Sequence, residues 1–233
     1  EGSSVMEKEG GYQREEEGEA IVDTPLYTAR VTTRGGALKS WRLKHYKDKV
    51  GEDGQMIEMV NNGQAGFYPL AIMVDLPGYE HRRDFDFRLK LQEDTRLILS
   101  FDDKTLRIER EYVFSKEQYQ FSHRTRIWFD DGRGREHAKG DVFIGVSEGF
   151  PREENKNVLL APYSDVRNFI YHSQNETTRE KISGVEAEIS VRKVVDWVGI
   201  ENRYFVTSLI NESKIKPYAV ISKPIPGTGL IDL

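Results

Sequence analysis

Strict two-residue alternation over residues 95–129 constrains the fold of this 233-residue chain more than any other feature. Large side chains recur at every second position in three successive segments, and polar turns at 102–104 and 115–118 separate these segments. This spacing places side chains on one face of a β-strand. The pattern therefore predicts three long antiparallel strands, each with one buried face. The predicted shared face of the second and third strands consists of Leu106, Ile108, Arg110, Tyr112 and Phe114, and of Tyr119, Phe121, His123, Thr125, Ile127 and Phe129.

A second strand-rich stretch covers residues 194–210, where two apolar runs flank a polar centre at 201–203. Val, Ile, Trp, Tyr and Phe dominate it, and these residue types are typical of strands. The second run would place Tyr204, Val206, Ser208 and Ile210 on one face, and Phe205, Thr207 and Leu209 on the other. Because large side chains occupy both faces, we expect this strand to lie between two layers. Trp197, Tyr204 and Phe205 are accordingly expected in the core.

The remaining segments are shorter and indicate further strands separated by turns. Arg34-Gly35-Gly36 is predicted to be a tight hairpin between strands at 26–33 and 37–44, because glycine supplies the positive φ angles that such a turn requires. We find no internal repeat, no heptads and no long amphipathic helix. The sequence therefore predicts an all-β, mainly antiparallel sandwich or barrel. Further strands are expected at 70–74, 142–146, 166–172, 177–183, 187–195 and 218–222.

Composition and charge exclude several classes of function. The chain has no cysteine, which excludes disulfides, zinc–thiolate sites and a cysteine nucleophile. Residues 1–19 hold seven glutamates and two basic residues, whereas the remainder balances at 32 acidic and 32 basic residues. We therefore expect an acidic, disordered tether at 1–19 and a single domain at 20–233, with no affinity for nucleic acid. No run reaches the roughly 18 apolar residues of a membrane span.

Three segments carry a resemblance to a known family. The first runs from Thr24-Pro25-Leu26-Tyr27 through Gly35-Gly36 to Leu43-Lys44-His45-Tyr46, the second is Tyr112-Val113-Phe114 and the strand after it, and the third is Trp197-Val198-Gly199 ahead of Tyr204-Phe205. In order and spacing these segments resemble the large first periplasmic domain of YidC-type bacterial membrane protein insertases. The resemblance covers roughly residues 20–223.

This resemblance implies a β-supersandwich similar to the galactose-mutarotase fold, with few or short helices. It implies a domain tethered at the periplasmic side of the inner membrane, whose partners are nascent inner-membrane proteins and the Sec translocon. Insertion itself would belong to a membrane part, so we expect a non-enzymatic insertase or chaperone domain with no cofactor and at most weak binding of extended chains. The family domain continues further past Phe205 than this chain does, so either the sequence is cut short or the sandwich is smaller.

Two sets of residues are candidates for a site. A basic stretch could face anionic lipid headgroups, although a solvated strand edge is the simpler interpretation; it consists of Lys39, Arg42, Lys44, Lys47 and Lys49. His123 falls on an apolar strand face, and mutarotases of the implied fold use a histidine acid with a glutamate base. A carbohydrate-binding or aldose-epimerase-like module is therefore the alternative function. A core histidine with a satisfied hydrogen bond is the simpler interpretation of His123, and the sequence assigns it no glutamate partner.

Overall fold

The computed structural model describes residues 17–60, 68–130, 140–145, 168–181, 189–212 and 218–221, and within these ranges all regular structure is strand. The N-terminal strands are β1 (Glu19–Asp23), β2 (Tyr27–Thr32), β3 (Leu38–Lys47), β4 (Met56–Glu58), β5 (Ile72–Leu76) and β6 (Tyr79–Arg82). The central strands are β7 (Arg88–Gln92), β8 (Arg96–Asp102), β9 (Leu106–Phe114), β10 (Phe121–Phe129) and β11 (Asp141–Ile144). The C-terminal strands are β12 (Asn168–Ser173), β13 (Glu176–Lys181), β14 (Ile189–Val194), β15 (Trp197–Glu201), β16 (Val206–Ile210) and β17 (Tyr218–Ile221).

These strands form several antiparallel sheets. The first sheet has the order β1-β2-β3-β4, the second β10-β9-β8-β7 and the third β11-β5-β6. A fourth sheet has the order β13-β12-β15-β16, and β14 pairs with β17. The first three sheets share one hydrophobic core, which Phe205 and Leu209 of the C-terminal part also contact. The expected fold class, an all-β and mainly antiparallel protein of the sandwich type, is confirmed.

The alternation over residues 95–129 produces the strands that it predicts. Strands β8, β9 and β10 pair in register, with Phe121 opposite Phe114 and Phe129 opposite Leu106. The inward side chains of β8 and β9 are buried, and Arg110 lies among them with no exposed surface. The inward side chains of β10 are only partly buried, because β10 is the outermost strand of its sheet within the described ranges. Tyr119, which was predicted on the same face, lies in the bend before β10 and is 41% exposed.

The predicted hairpin at Gly35-Gly36 is also present. Both glycines have positive φ angles, 68° and 58°, which a residue with a side chain rarely adopts. A Cβ atom on Gly36 would lie 3.0 Å from Cδ of Arg110 and 3.2 Å from the ring of Phe87. The turn therefore requires glycine at position 36 for two reasons, its backbone conformation and the close approach of these buried side chains.

The expectation for residues 194–210 is wrong in part. Strands β15 and β16 form, but Tyr204 is 65%, Val206 57% and Ile210 64% exposed. Strand β16 pairs with β15 alone in the part of the chain that is described, so one of its edges is unpaired there. The exposure of Val206 and Ile210 shows that the face carrying them is open to solvent. Tyr204 lies in the turn that precedes β16, and Trp197 is only half-buried.

The start of the ordered domain differs slightly from the expected position at residue 20. Strand β1 begins at Glu19, and Glu17 already contacts Thr32 and Lys39 of the first sheet. Glu19, which was assigned to the acidic tether, therefore lies in β1, and residues 17 and 18 contact the first sheet. Residues 1–16 lie outside the described ranges, so the disorder predicted for them stays a prediction.

Candidate functional site

Arg110 occupies the point where three sheets meet. Its Nη1 donates hydrogen bonds to the carbonyl oxygens of Gly35, at 2.7 Å, and Gly36, at 2.8 Å. Its Nη2 donates to the carbonyl oxygen of Leu70, at 2.6 Å, just ahead of β5. One side chain of the second sheet thus holds the hairpin of the first sheet and the segment leading into the third.

His123 accepts the remaining donors of this guanidinium. Its Nε2 lies 3.2 Å from Nε and 3.0 Å from Nη2 of Arg110. Because an arginine only donates, Nε2 must accept, which places the proton on Nδ1 and makes the ring neutral. Burial, and then the charge of Arg110, hold the pKa of His123 well below its usual range.

Tyr112 completes this cluster from the same strand as Arg110. Its ring centroid lies 4.6 Å from that of His123, the residue opposite it in the strand pair. Its hydroxyl donates a hydrogen bond to the carbonyl oxygen of Gly36, and burial raises the pKa of Tyr112. Together Arg110, Tyr112 and His123 form a buried polar junction around the Gly35-Gly36 hairpin.

The junction gives His123 a structural role. A general acid must carry a transferable proton toward a ligand. Nε2 of His123 instead accepts hydrogen bonds from Arg110, whose guanidinium stays charged, so it carries no proton. Thr125 Oγ1, 3.2 Å away, is the other polar group next to Nε2. Both of these Nε2 partners are non-acidic, so neither supplies the carboxylate base of mutarotase chemistry. The hypothesis that His123 belongs to a sugar-binding site stays a prediction.

The five residues of the predicted basic stretch differ in their partners and in their exposure. Lys39 Nζ lies 2.8 Å from Glu17 and 2.6 Å from Glu19, and its hydrogen bond lowers the pKa of Glu17. Lys44 lies 2.9 Å from Asp23, whose pKa it lowers.

The other three residues of the stretch are more exposed. Arg42 lies 4.0 Å from Glu58. Lys47 Nζ donates to the carbonyl oxygen of Gly51 at 3.4 Å, and Lys49 is exposed in the bend after β3. The basic stretch therefore has part of its charge compensated by carboxylates, and its lipid contact stays a prediction.

The sequence placed Arg110 on the inward face of β9 without giving it a role. An arginine among inward positions of a strictly alternating strand is the signal that could have identified it, because a buried guanidinium needs several acceptors. The acceptors themselves lie 40, 74 and 75 residues away along the chain and follow no local pattern.

An aromatic group lies at the surface beside β16. The ring centroid of Tyr46 lies 5.7 Å from that of Tyr119 and 5.9 Å from that of Phe205, in edge-on arrangements. Tyr46 and Tyr119 are both partly exposed and lie on the side of Phe205. The exposed side chains of Val206 and Ile210 alternate with Leu209, which contacts the core, so they project from the opposite face of β16. Apolar side chains thus lie on both sides of a strand that is paired along one edge among the described residues.

The described ranges contain no group of three or more His, Cys, Asp or Glu side chains placed to hold a metal ion. They also contain no helix that is long and apolar enough to cross a membrane.

Fold and contacts together define a large antiparallel β-sandwich domain with a buried structural arginine. Residues 19–226 match the family described as YidC periplasmic domain. The chain belongs to this family, as its sequence resemblance implied.

The similar curated proteins carry one name. The chain is 29% identical over 211 residues to a membrane protein insertase YidC of Syntrophus aciditrophicus, covering 85% of this chain and 37% of that protein. It is 26% identical over 207 residues to the membrane protein insertase YidC of Oleidesulfovibrio alaskensis, covering 86% and 37%. A shorter match of 52 residues to the protein of that name from Citrifermentans bemidjiense is 48% identical and covers 22% of this chain and 10% of that protein. The chain thus spans little more than a third of the length of the first two relatives.

Proposed function

We propose that this chain is the periplasmic domain of a membrane protein insertase, held at the periplasmic side of the bacterial inner membrane. The observation that carries the proposal is the family match over residues 19–226, together with relatives named as membrane protein insertases. The domain would assist the insertion and folding of nascent inner-membrane proteins as a non-enzymatic chaperone surface. The Sec translocon is the partner complex expected at that location.

The surface beside β16 suits weak binding of extended chains. An edge strand accepts an extended segment through backbone hydrogen bonds, and neighbouring side chains add apolar contact. Val206 and Ile210 point to solvent from one face of β16, and Tyr46 and Tyr119 lie beside Phe205 on the other side of this strand. Because a tethered domain meets its clients at high local concentration, weak affinity suffices.

A titration of a labelled, unstructured inner-membrane-protein segment against this 233-residue chain tests the proposal. We expect fluorescence anisotropy to show weak binding that tolerates a shuffled sequence of the same composition. The variant Val206→Lys should weaken binding several-fold, because a charged edge opposes strand pairing. Val113→Lys is the matched control, since Val113 is also exposed but lies on β9, a central strand.

Two outcomes would contradict the binding role. Absence of binding even at millimolar concentrations of the chain would identify the domain as a spacer. Tight binding that depends on the peptide sequence would indicate a dedicated receptor instead of a passive holding surface.

A further inference from the structure

The outer face of the second sheet carries a layer of arginines that the buried junction does not use. The strand register places Arg124 opposite Glu111, Arg126 opposite Glu109 and Arg107 opposite Trp128. We define the arginine face as the four guanidinium groups that surround these two glutamates. They belong to Arg96, Arg107, Arg124 and Arg126 on strands β8, β9 and β10.

One carboxylate of this face is shared by three arginines. Glu111 lies 2.9 Å from Arg96, 3.4 Å from Arg126 and 3.7 Å from Arg124. The hydrogen bond from Arg96 and the surrounding positive charges lower the pKa of Glu111. Glu111 is therefore ionised at neutral pH, and it can balance only one of the three cations.

The second carboxylate is shared in the same way. Glu109 lies 2.6 Å from Arg126 and 3.7 Å from Arg107. Four guanidinium groups thus surround two carboxylates, which leaves a surplus of two positive charges. Asp102 and Arg88 also lie on this face by register, and their opposite charges leave the surplus unchanged.

The charges are arranged in two levels. The side chains of Glu111 and Glu109 are 13% and 21% exposed, whereas those of Arg107 and Arg124 are 53% and 67% exposed. The carboxylates therefore lie beneath the arginines and hold them in place. An approaching partner meets a layer of guanidinium groups, whose forked donors match phosphate oxygens.

An aromatic side chain lies at the margin of this layer. Trp128 is 42% exposed, and Cζ of Arg107 lies 4.7 Å from the centre of its ring. Tryptophan is enriched where protein meets the headgroup region of a bilayer, because its ring is apolar and its N–H is polar. A sheet face with surplus arginine charge and an exposed tryptophan at its margin fits an anionic membrane surface.

We propose that the arginine face of this domain binds the phosphate headgroups of anionic phospholipids. This inference rests on the proposed location beside the inner membrane. It assigns lipid contact to a different surface from Lys39 and Lys44. Carboxylates balance both of those lysines, whereas the four arginines of the arginine face share two carboxylates. Contact through the face would orient the domain on the bilayer.

Vesicle co-sedimentation of the 233-residue chain tests the proposal. We expect binding to vesicles that contain phosphatidylglycerol, little binding to phosphatidylcholine vesicles, and loss of binding at high salt. Arg124→Glu should lower the partition coefficient about thirtyfold, since each charge near an anionic surface is worth about a fivefold change and this substitution changes two. The fold should tolerate it, because Arg124 is exposed and because Arg96 and Arg126 remain beside Glu111.

Lys49→Glu is the matched control, with the same change of charge at an exposed position of the basic stretch. An equal or larger loss of binding in this variant would move the lipid site to that stretch and overturn the proposal. Absence of phosphatidylglycerol-dependent binding would also overturn it. Binding of soluble poly-glutamate through Arg124, without vesicle binding, would assign the face to an acidic protein instead. These results are independent of the peptide titration, so the two proposals can fail separately.

Discussion

Replacing Arg110 with methionine tests whether the buried junction holds the three sheets together. Methionine keeps an unbranched stem of similar shape but removes all five donors. The carbonyl oxygens of Gly35 and Leu70 then lose their hydrogen bonds to Arg110, while that of Gly36 keeps the hydroxyl of Tyr112. Arg110 is fully buried, so we expect little replacement of these donors by water.

The magnitude follows from the two carbonyl groups that lose this donor. A buried acceptor without a partner costs about 1–3 kcal/mol, so the free energy of unfolding should fall by about 4 kcal/mol. For a domain of this size that loss lowers the melting temperature by roughly 10 °C. Removal of a desolvated charge offsets part of the cost, as it does for other buried ions.

Urea denaturation followed by tryptophan fluorescence measures this change as a shift of the midpoint. Arg124→Met is the control, because Arg124 lies on β10 next to β9 but points to solvent, where substitutions typically change stability by less than about 0.5 kcal/mol. If Arg110→Met proved as stable as Arg124→Met, the guanidinium would not be a structural cross-link, and a ligand-binding role for the junction would have to be considered.

Two further predictions concern the partners of Arg110. Gly36→Ala should destabilise the domain by about 1–3 kcal/mol more than Gly35→Ala in the same urea assay. A Cβ at Gly36 meets Arg110, whereas a Cβ at Gly35 meets nothing within 4 Å. Equal losses of stability would mean that backbone strain alone matters. Stability should fall as the pH drops below about 6.5, by up to about 1.4 kcal/mol per unit, because the unfolded chain protonates His123 while the folded-state pKa is lowered. The slope between pH 7 and 5.5 should flatten in His123→Gln, and an unchanged slope would contradict the assignment of His123 as a neutral acceptor.

The strands with one buried face could be predicted from sequence, and the strand with apolar residues on both faces could not. In β9 every second residue is large and three of the four positions between are charged, so the inward face is defined locally. In β16 apolar residues occupy both faces, and burial then depends on which element lies against each face. Leu209 contacts the core while Val206 and Ile210 remain exposed, a difference that no local pattern encodes.

For the candidate sites too, the sequence pattern predicts which face a residue occupies but not which residues it contacts. The alternation placed His123 on the inward face and Arg124 on the outward face, as the structure does. It did not show that Arg110 is the partner of His123, since that contact depends on the register of β9 and β10. The arginine face likewise emerges only when three strands are aligned, because Arg96 on β8 is 11 residues before Arg107 on β9, which is 17 residues before Arg124 on β10.

The hairpin that carried the family resemblance and the buried arginine are one structural unit. Two consecutive positive φ angles direct the carbonyl oxygens of Gly35 and Gly36 toward the same Nη1 of Arg110, and the missing side chain of Gly36 leaves room for its stem. Arg110 in turn satisfies His123, so the donors and acceptors of the junction are largely used within the protein. A polar cluster that is satisfied internally offers little to a ligand. Recognition by this domain should therefore rely on its outer surfaces, where β16 presents apolar side chains and the arginine face presents surplus charge.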